Sequence, residues 1–191
     1  MAEHSRRTSI ACFQAPAARR KSRMTTTYYD IFETPAGWMG LVASDKGLQR
    51  STLPQAFPED CIDQLGSAIT DATPSPTHFE GIKKKLSRYF SGEEVSFADE
   101  PIDVDDASPF HQAAWHACRT IPKGETRTYK WLAEQAGNAL APRAAGQAMA
   151  RNRLAIIIPC HRVIASDGSL RGFGKGRERL DLKQRLLNLE G

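Results

Sequence analysis

From Tyr28 onward, the pattern of apolar and polar positions becomes strand-like. Tyr28-Tyr29-Asp30-Ile31-Phe32-Glu33-Thr34 predicts a strand, Pro35-Ala36-Gly37 a turn, and 38–43 a second strand. Asp45-Lys46-Gly47 turns the chain into a third, shorter strand over 48–53. Helical spacing then takes over around 59–70 and 79–90, on either side of a loop containing Pro74 and Pro76. After the acidic stretch 93–106, Ser108-Pro109 reads as an N-cap with proline in the first helical turn. Phe110, Ala114, Ala117, Cys118 and Ile121 follow at helical spacing, and Pro122-Lys123-Gly124 stops the helix. Thr128 can cap a second helix over 129–136, closed by Gly137-Asn138, and Pro142 opens a third that runs to about Asn152. Leu154-Ala155-Ile156-Ile157-Ile158 reads as a buried strand that ends at Pro159-Cys160-His161-Arg162.

Composition narrows the possibilities. With 191 residues, of which 40% are hydrophobic, the chain can build one ordinary domain or two small packed ones. Its longest apolar run, 154–158, is strand-sized, so no membrane partner is expected. Cys12, Cys61, Cys118 and Cys160 lie far apart with no C-x-x-C spacing. They read as reduced thiols in a cytoplasmic protein, and no metal site is expected. Residues 1–23 are rich in Arg, Ala and Ser and lack hydrophobic periodicity. They read as a disordered basic tail, a targeting segment or an extension before Met24. The remainder divides into 24–107 and 108–191. Residues 25–107 carry six basic and fifteen acidic side chains, whereas 108–191 carry fourteen basic and six acidic. A basic C-terminal half suggests a polyanionic partner, although a solvated charged surface would look the same.

Two helices joined by a short polar turn in a basic region fit a helix-turn-helix, but also a plain packing unit. The third helix is unusual for a base reader, which needs long side chains that reach base edges. Between Arg143 and Arg151 it is mostly Ala and Gly. Such a surface suits close backbone approach in a minor groove or, equally, tight packing against another helix. Cys160 beside His161 raises nucleophile-plus-base chemistry, against the alternative of an inert core thiol and a hydrogen-bonded histidine. In extended backbone adjacent side chains point to opposite faces, which argues against direct contact between the two; relay through a bridging water is one answer.

Ile158-Pro159-Cys160-His161-Arg162-Val163, with Asn152 eight residues before the cysteine, resembles the signature of the O6-alkylguanine-DNA alkyltransferases (methylated-DNA–protein-cysteine methyltransferases). The resemblance extends through Pro109-Phe110, Ile121-Pro122-Lys123-Gly124-Glu125-Thr126, Tyr129, Ala136-Gly137-Asn138, Arg143 and Ala148-Met149. It continues to Asp167-Gly168, Gly172-Phe173 and Leu186-Leu187-Asn188-Leu189-Glu190-Gly191.

This resemblance implies an α/β (α+β) fold. A small N-terminal antiparallel sheet subdomain, ribonuclease-H-like, would pack on a C-terminal helical, winged-helix-like domain that contains the helix-turn-helix. It implies a monomer that acts on double-stranded DNA containing O6-alkylguanine, and on O4-methylthymine. The damaged base would flip out of the duplex and its alkyl group would pass to Cys160. In that scheme Arg143 fills the vacated stack, Tyr129 crowds the adjacent phosphate, and Arg151, Val163, Phe173 and Gly174 line the DNA and base site. His161 acts as base, Glu190 holds its tautomer, and Asn152 is a backbone-bonding hinge. The thioether product has no good leaving group, so the cysteine is used once and no cofactor is needed.

Two departures bear on this scheme. Glu190 lies thirty residues beyond Cys160, a few more than the family spacing, with the surplus around Leu180-Asp181-Leu182. That surplus puts the reach of Glu190 to His161 at issue. Phe173 and Gly174 stand where the family often has Tyr and a small polar residue. Two rival readings remain. A lesion sensor would lack the reactive cysteine, and a helix-turn-helix regulator would carry base-reading side chains on 142–152. A cysteine hydrolase would need an oxyanion site and direct thiol–base contact.

Overall fold

The computed structural model describes residues 26–171 and 180–191. The expected tail, Phe173 and Gly174 lie outside the described residues. The N-terminal half opens with strands β1 (Thr27–Thr34), β2 (Gly37–Ser44) and β3 (Gly47–Ser51), joined by two tight turns. Helix α1 (Pro58–Leu65) follows. A two-residue strand β4 (Thr73–Pro74) then precedes helix α2 (Glu80–Phe90). The sheet runs in the order β3-β2-β1-β4, and β4 pairs parallel to β1. The sheet is therefore mixed, not purely antiparallel as the sequence predicts. The Pro74 segment reads from sequence as a loop, but its backbone runs extended along the open edge of β1.

The C-terminal half holds α3 (Pro109–Arg119), α4 (Tyr129–Gln135), α5 (Pro142–Ala150) and α6 (Leu180–Glu190). A two-residue pair, β5 (Arg127–Thr128) and β6 (Val163–Ile164), accompanies them. The helix starts follow the chemistry of the sequence: the Ser108 hydroxyl accepts from His111 N, and the Thr128 hydroxyl from Trp131 N. On α5 the small residues Ala145 and Ala148 are buried, and Trp115 of α3 donates its indole N–H to Ala148 O at 2.8 Å. Arg143, Gln147 and Arg151 stay exposed. Part of the small-residue pattern thus serves helix packing, and the long side chains face outward.

The expected strand 154–158 does not form. Its residues make only isolated bridges, Ser51 to Leu154 and Ala155 to Ile158. Ile158 N donates back to Leu154 O at 2.8 Å, and Ile156 sits at φ 72°. The reason lies in what hydropathy measures. Leu154, Ile156, Ile157 and Ile158 are all buried, but a tight turn can bury every side chain just as a central strand does.

The turn is held against the N-terminal sheet. Ser51 N donates to Arg153 O, and the Ser51 hydroxyl to Ala155 O, both at 2.8 Å. The acidic segment is pinned to the same β3 edge, where Leu48 N donates to Pro101 O and Asp103 N to Leu48 O. Gly47 permits that approach: at φ 146°, a Cβ there would lie 2.5 Å from Pro101 C. One cluster of buried side chains runs through both halves, from Met39 and Leu86 to Trp115, Ile158 and Leu186. Among the described residues, no helix is long and apolar enough to cross a membrane.

Candidate active site

Cys160, His161 and Arg162 form one turn of 3₁₀ helix between the Pro159 corner and β6, not extended backbone. Cys160 is 8% exposed, so its sulfur sits just beneath the surface. Asn152, at the end of α5, organises the turn. Its Oδ1 accepts from Leu154 N at 2.9 Å, and its Nδ2 donates to Ile158 O at 2.9 Å and to Cys160 Sγ at 3.1 Å. The family resemblance implies the backbone bonds; the contact with sulfur adds a direct hand in the thiol's charge.

Burial pushes the Cys160 thiol up, and the Asn152 amide, the Lys183 charge and nearby backbone N–H groups only partly offset it. The thiol is therefore protonated at rest and needs a base. His161 is fully buried, and burial lowers its pKa against the opposing pull of Glu190. A neutral imidazole is what a proton acceptor at neutral pH requires.

The ring is tied to the last helix, where His161 Nε2 lies 2.8 Å from Glu190 Oε1. Helix α6 is continuous over Leu180–Glu190, so the extra residues near Leu180 do not keep Glu190 from His161. Arg162 grips the same carboxylate at both oxygens, from Nε at 2.7 Å and Nη2 at 2.8 Å, and donates from Nη1 to Ile121 O. Burial alone would raise the pKa of Glu190, but bonds from His161, Arg162 and Tyr89 hold it well below the usual carboxylate range.

Tyr129, at the start of α4, is half-buried near Cys160. Burial and the neighbouring thiols push its phenol up to about 12, so it remains a donor. Val163 is buried, and its carbonyl accepts from Lys183 Nζ at 2.7 Å. Arg143 and Arg151 bracket the exposed face of α5. Among the described residues, no group of His, Cys, Asp and Glu side chains could hold a metal ion.

Three residues of the site escape sequence reasoning. Lys183 and Glu190 are charged residues on the buried stripe of α6 that also holds Leu186, a pattern that could have singled out Lys183. Arg162 reads from sequence only as part of the motif. Tyr89 looks like one more core aromatic on α2, and nothing in the sequence signals its partner in α6.

Two family models match the chain. "6-O-methylguanine DNA methyltransferase, DNA binding domain" matches residues 109–191, and "6-O-methylguanine DNA methyltransferase, ribonuclease-like domain" matches 27–104. The chain is 38% identical over 164 residues to a methylated-DNA–protein-cysteine methyltransferase of Methanosarcina acetivorans, covering 86% of this chain and 98% of that protein. It is 46% identical over 163 residues to the one from Mycolicibacterium paratuberculosis, covering 85% of this chain and 91% of that one. The crystal structure of Mycobacterium tuberculosis O6-methylguanine methyltransferase superposes with a TM-score of 0.71 at 36% identity, covering 86% of this chain and 93% of that one. The structure of Mycobacterium tuberculosis OGT in complex with DNA also gives 0.71, at 37% identity, covering 85% and 92%.

Proposed function

The chain belongs to the 6-O-methylguanine DNA methyltransferase family, and from that premise we propose that it repairs DNA by moving the alkyl group of O6-alkylguanine onto Cys160. The observation that carries this reading is the setting of one sulfur. A near-surface thiol accepts from Asn152 and adjoins a buried histidine locked to Glu190.

The chemistry follows from those protonation states. His161 takes the thiol proton through a water, and the resulting thiolate attacks the saturated carbon on O6. The new S–C bond forms as the C–O6 bond breaks, with the bond pair leaving on guanine. The proton that left the thiol in effect replaces the alkyl group, restoring guanine. Nothing displaces the thioether, so each molecule acts once. The same chemistry extends to O4-methylthymine.

Base flipping costs a few kcal/mol, least for a weakly paired lesion. Arg143, at the head of the exposed α5 face, is suited to fill the gap, with Arg151 on the same face for phosphate. Tyr129 donates toward the flipped base or its phosphate, and the carbonyls of Cys160 and Val163 accept the exocyclic amine. In the same reading residues 24–107 support the site, 108–191 bind DNA and carry the transfer, and the protein works as a cytoplasmic monomer.

Equimolar incubation with an oligonucleotide containing O6-methylguanine, followed by peptide mass mapping, tests the reading. One methyl on the Cys160 peptide is expected. No adduct, or an adduct on Cys118, overturns it.

A further inference from the structure

Tyr89 lies in the N-terminal half, on α2, yet its hydroxyl enters the centre of the His161–Glu190 pair. It donates to Glu190 Oε1 at 2.6 Å and stands 3.5 Å from His161 Nε2. The ring is 1% exposed and packs edge-on against Phe90 and Phe97, so phenylalanine would satisfy the packing alone. What the hydroxyl adds is a third neighbour for one oxygen, already beside His161 Nε2 at 2.8 Å and Arg162 Nη2 at 2.8 Å.

We propose that Tyr89 is a positioning residue for alkyl transfer: by sharing Glu190 Oε1 it fixes the plane of the His161 ring and keeps the imidazole neutral until the thiol gives up its proton. The proposal rests on the assignment of His161 as the base for Cys160 and extends it across the two halves. The charged and titratable groups facing His161 come from several elements. They are Glu190 and Lys183 on α6, Arg162 and Cys160 on its own turn, and Tyr89 on α2. Arg162 and Lys183 oppose a proton on the ring, and Glu190 favours one. Each donor on Oε1 weakens what that oxygen offers the imidazolium. Burial and the Glu190 charge push the Tyr89 phenol far above its ordinary value, so it stays a donor throughout the working pH range.

The sign of the effect follows. Without the hydroxyl, Glu190 Oε1 holds the imidazolium more tightly and the pKa of His161 rises. The acid limb of the transfer rate, which marks the pH at which His161 becomes neutral, then moves to higher pH. The test compares wild type with Tyr89→Phe in single-turnover reaction with free O6-benzylguanine between about pH 5 and pH 8. Free base removes DNA binding from the readout. The expected result is a plateau rate lower by roughly ten-fold, the loss of one hydrogen bond to a charged group, with the acid limb shifted upward. Cys160 should still be alkylated to completion at long times. NMR titration of the His161 ring in both proteins reads the same quantity without turnover, and the Phe variant should titrate at higher pH.

An unchanged limb together with an unchanged ring titration overturns the proposal, even if the rate falls, because a purely structural loss would do no more. If wild type itself never alkylates Cys160, the reading beneath the proposal fails instead. Full alkylation with no shift sinks the role of Tyr89 alone.

Discussion

At the scale of single residues, Asn152 and Ile156 show how the reactive turn is held. Asn152 makes three contacts with one amide, to Leu154 N, Ile158 O and Cys160 Sγ. Asn152→Ala leaves a half-buried amide and carbonyl short of a partner, so about 1–3 kcal/mol of stability should be lost. It also removes the donor that favours the thiolate, so transfer should slow by more than the stability loss explains. Urea unfolding and single-turnover rates, measured on the same variant, separate the two; a slow variant of wild-type stability would place the role wholly in the chemistry.

Ile156 adopts a left-handed backbone that costs a branched residue about 1–3 kcal/mol. Its side chain is 1% exposed, and deleting a buried isoleucine costs about 2–5 kcal/mol. Burial outweighs strain, which explains an isoleucine at a position whose backbone alone would favour glycine. Asn152 was legible as a backbone-bonding residue only through the family resemblance of its motif. The geometry at Ile156 was not, because an apolar run carries no sign of φ.

At the scale of elements, period and capping residues located most of what packs the site. Ser108, Thr128 and Pro142 mark the starts of α3, α4 and α5. The failures share a cause: they are segments whose conformation is set by distant partners. Strand β4 exists because the open edge of β1 accepts Thr73 and Pro74, and 154–158 turns because Ser51 holds Arg153 and Ala155. The outward face of α5 is simpler, since Arg143 is exposed among the described residues. Arg143→Ala should therefore leave the fold intact and reaction with free O6-benzylguanine nearly unchanged, while repair of duplex DNA falls by at least ten-fold, about 1.4 kcal/mol. Competition between the two substrates on one preparation measures this directly, and equal losses on both would remove Arg143 from base flipping.

At the scale of the molecule, a cluster of interacting charges lies inside a core shared by both halves, so the relay and the fold should respond to pH together. His161 has a lowered folded pKa, because burial disfavours its charge. The unfolded chain takes up a proton there before the folded one does, so stability falls as pH drops below about 6.5. Glu190 has a depressed folded pKa, so its contribution is present above about pH 4.3 and is lost as pH falls from there toward the folded value. The two losses begin at different pH, about 6.5 for His161 and about 4.3 for Glu190, which allows their onsets to be told apart.

Glu190→Gln removes the lower window and leaves Arg162 buried without its counter-charge, a loss of about 3–5 kcal/mol near neutrality. That gap should narrow on acidification, because below pH 4 the wild-type carboxylate is itself losing its advantage. Urea midpoints for both proteins near pH 7, about 5.5 and about 3.5 provide the comparison. Convergence at the acid end ties stability to the same carboxylate that orients His161. A constant gap would mean that Glu190 acts through shape alone, and that the buried charge it presents to Arg162, Tyr89 and His161 is screened in a way the packing of α2, α6 and the Cys160 turn does not suggest.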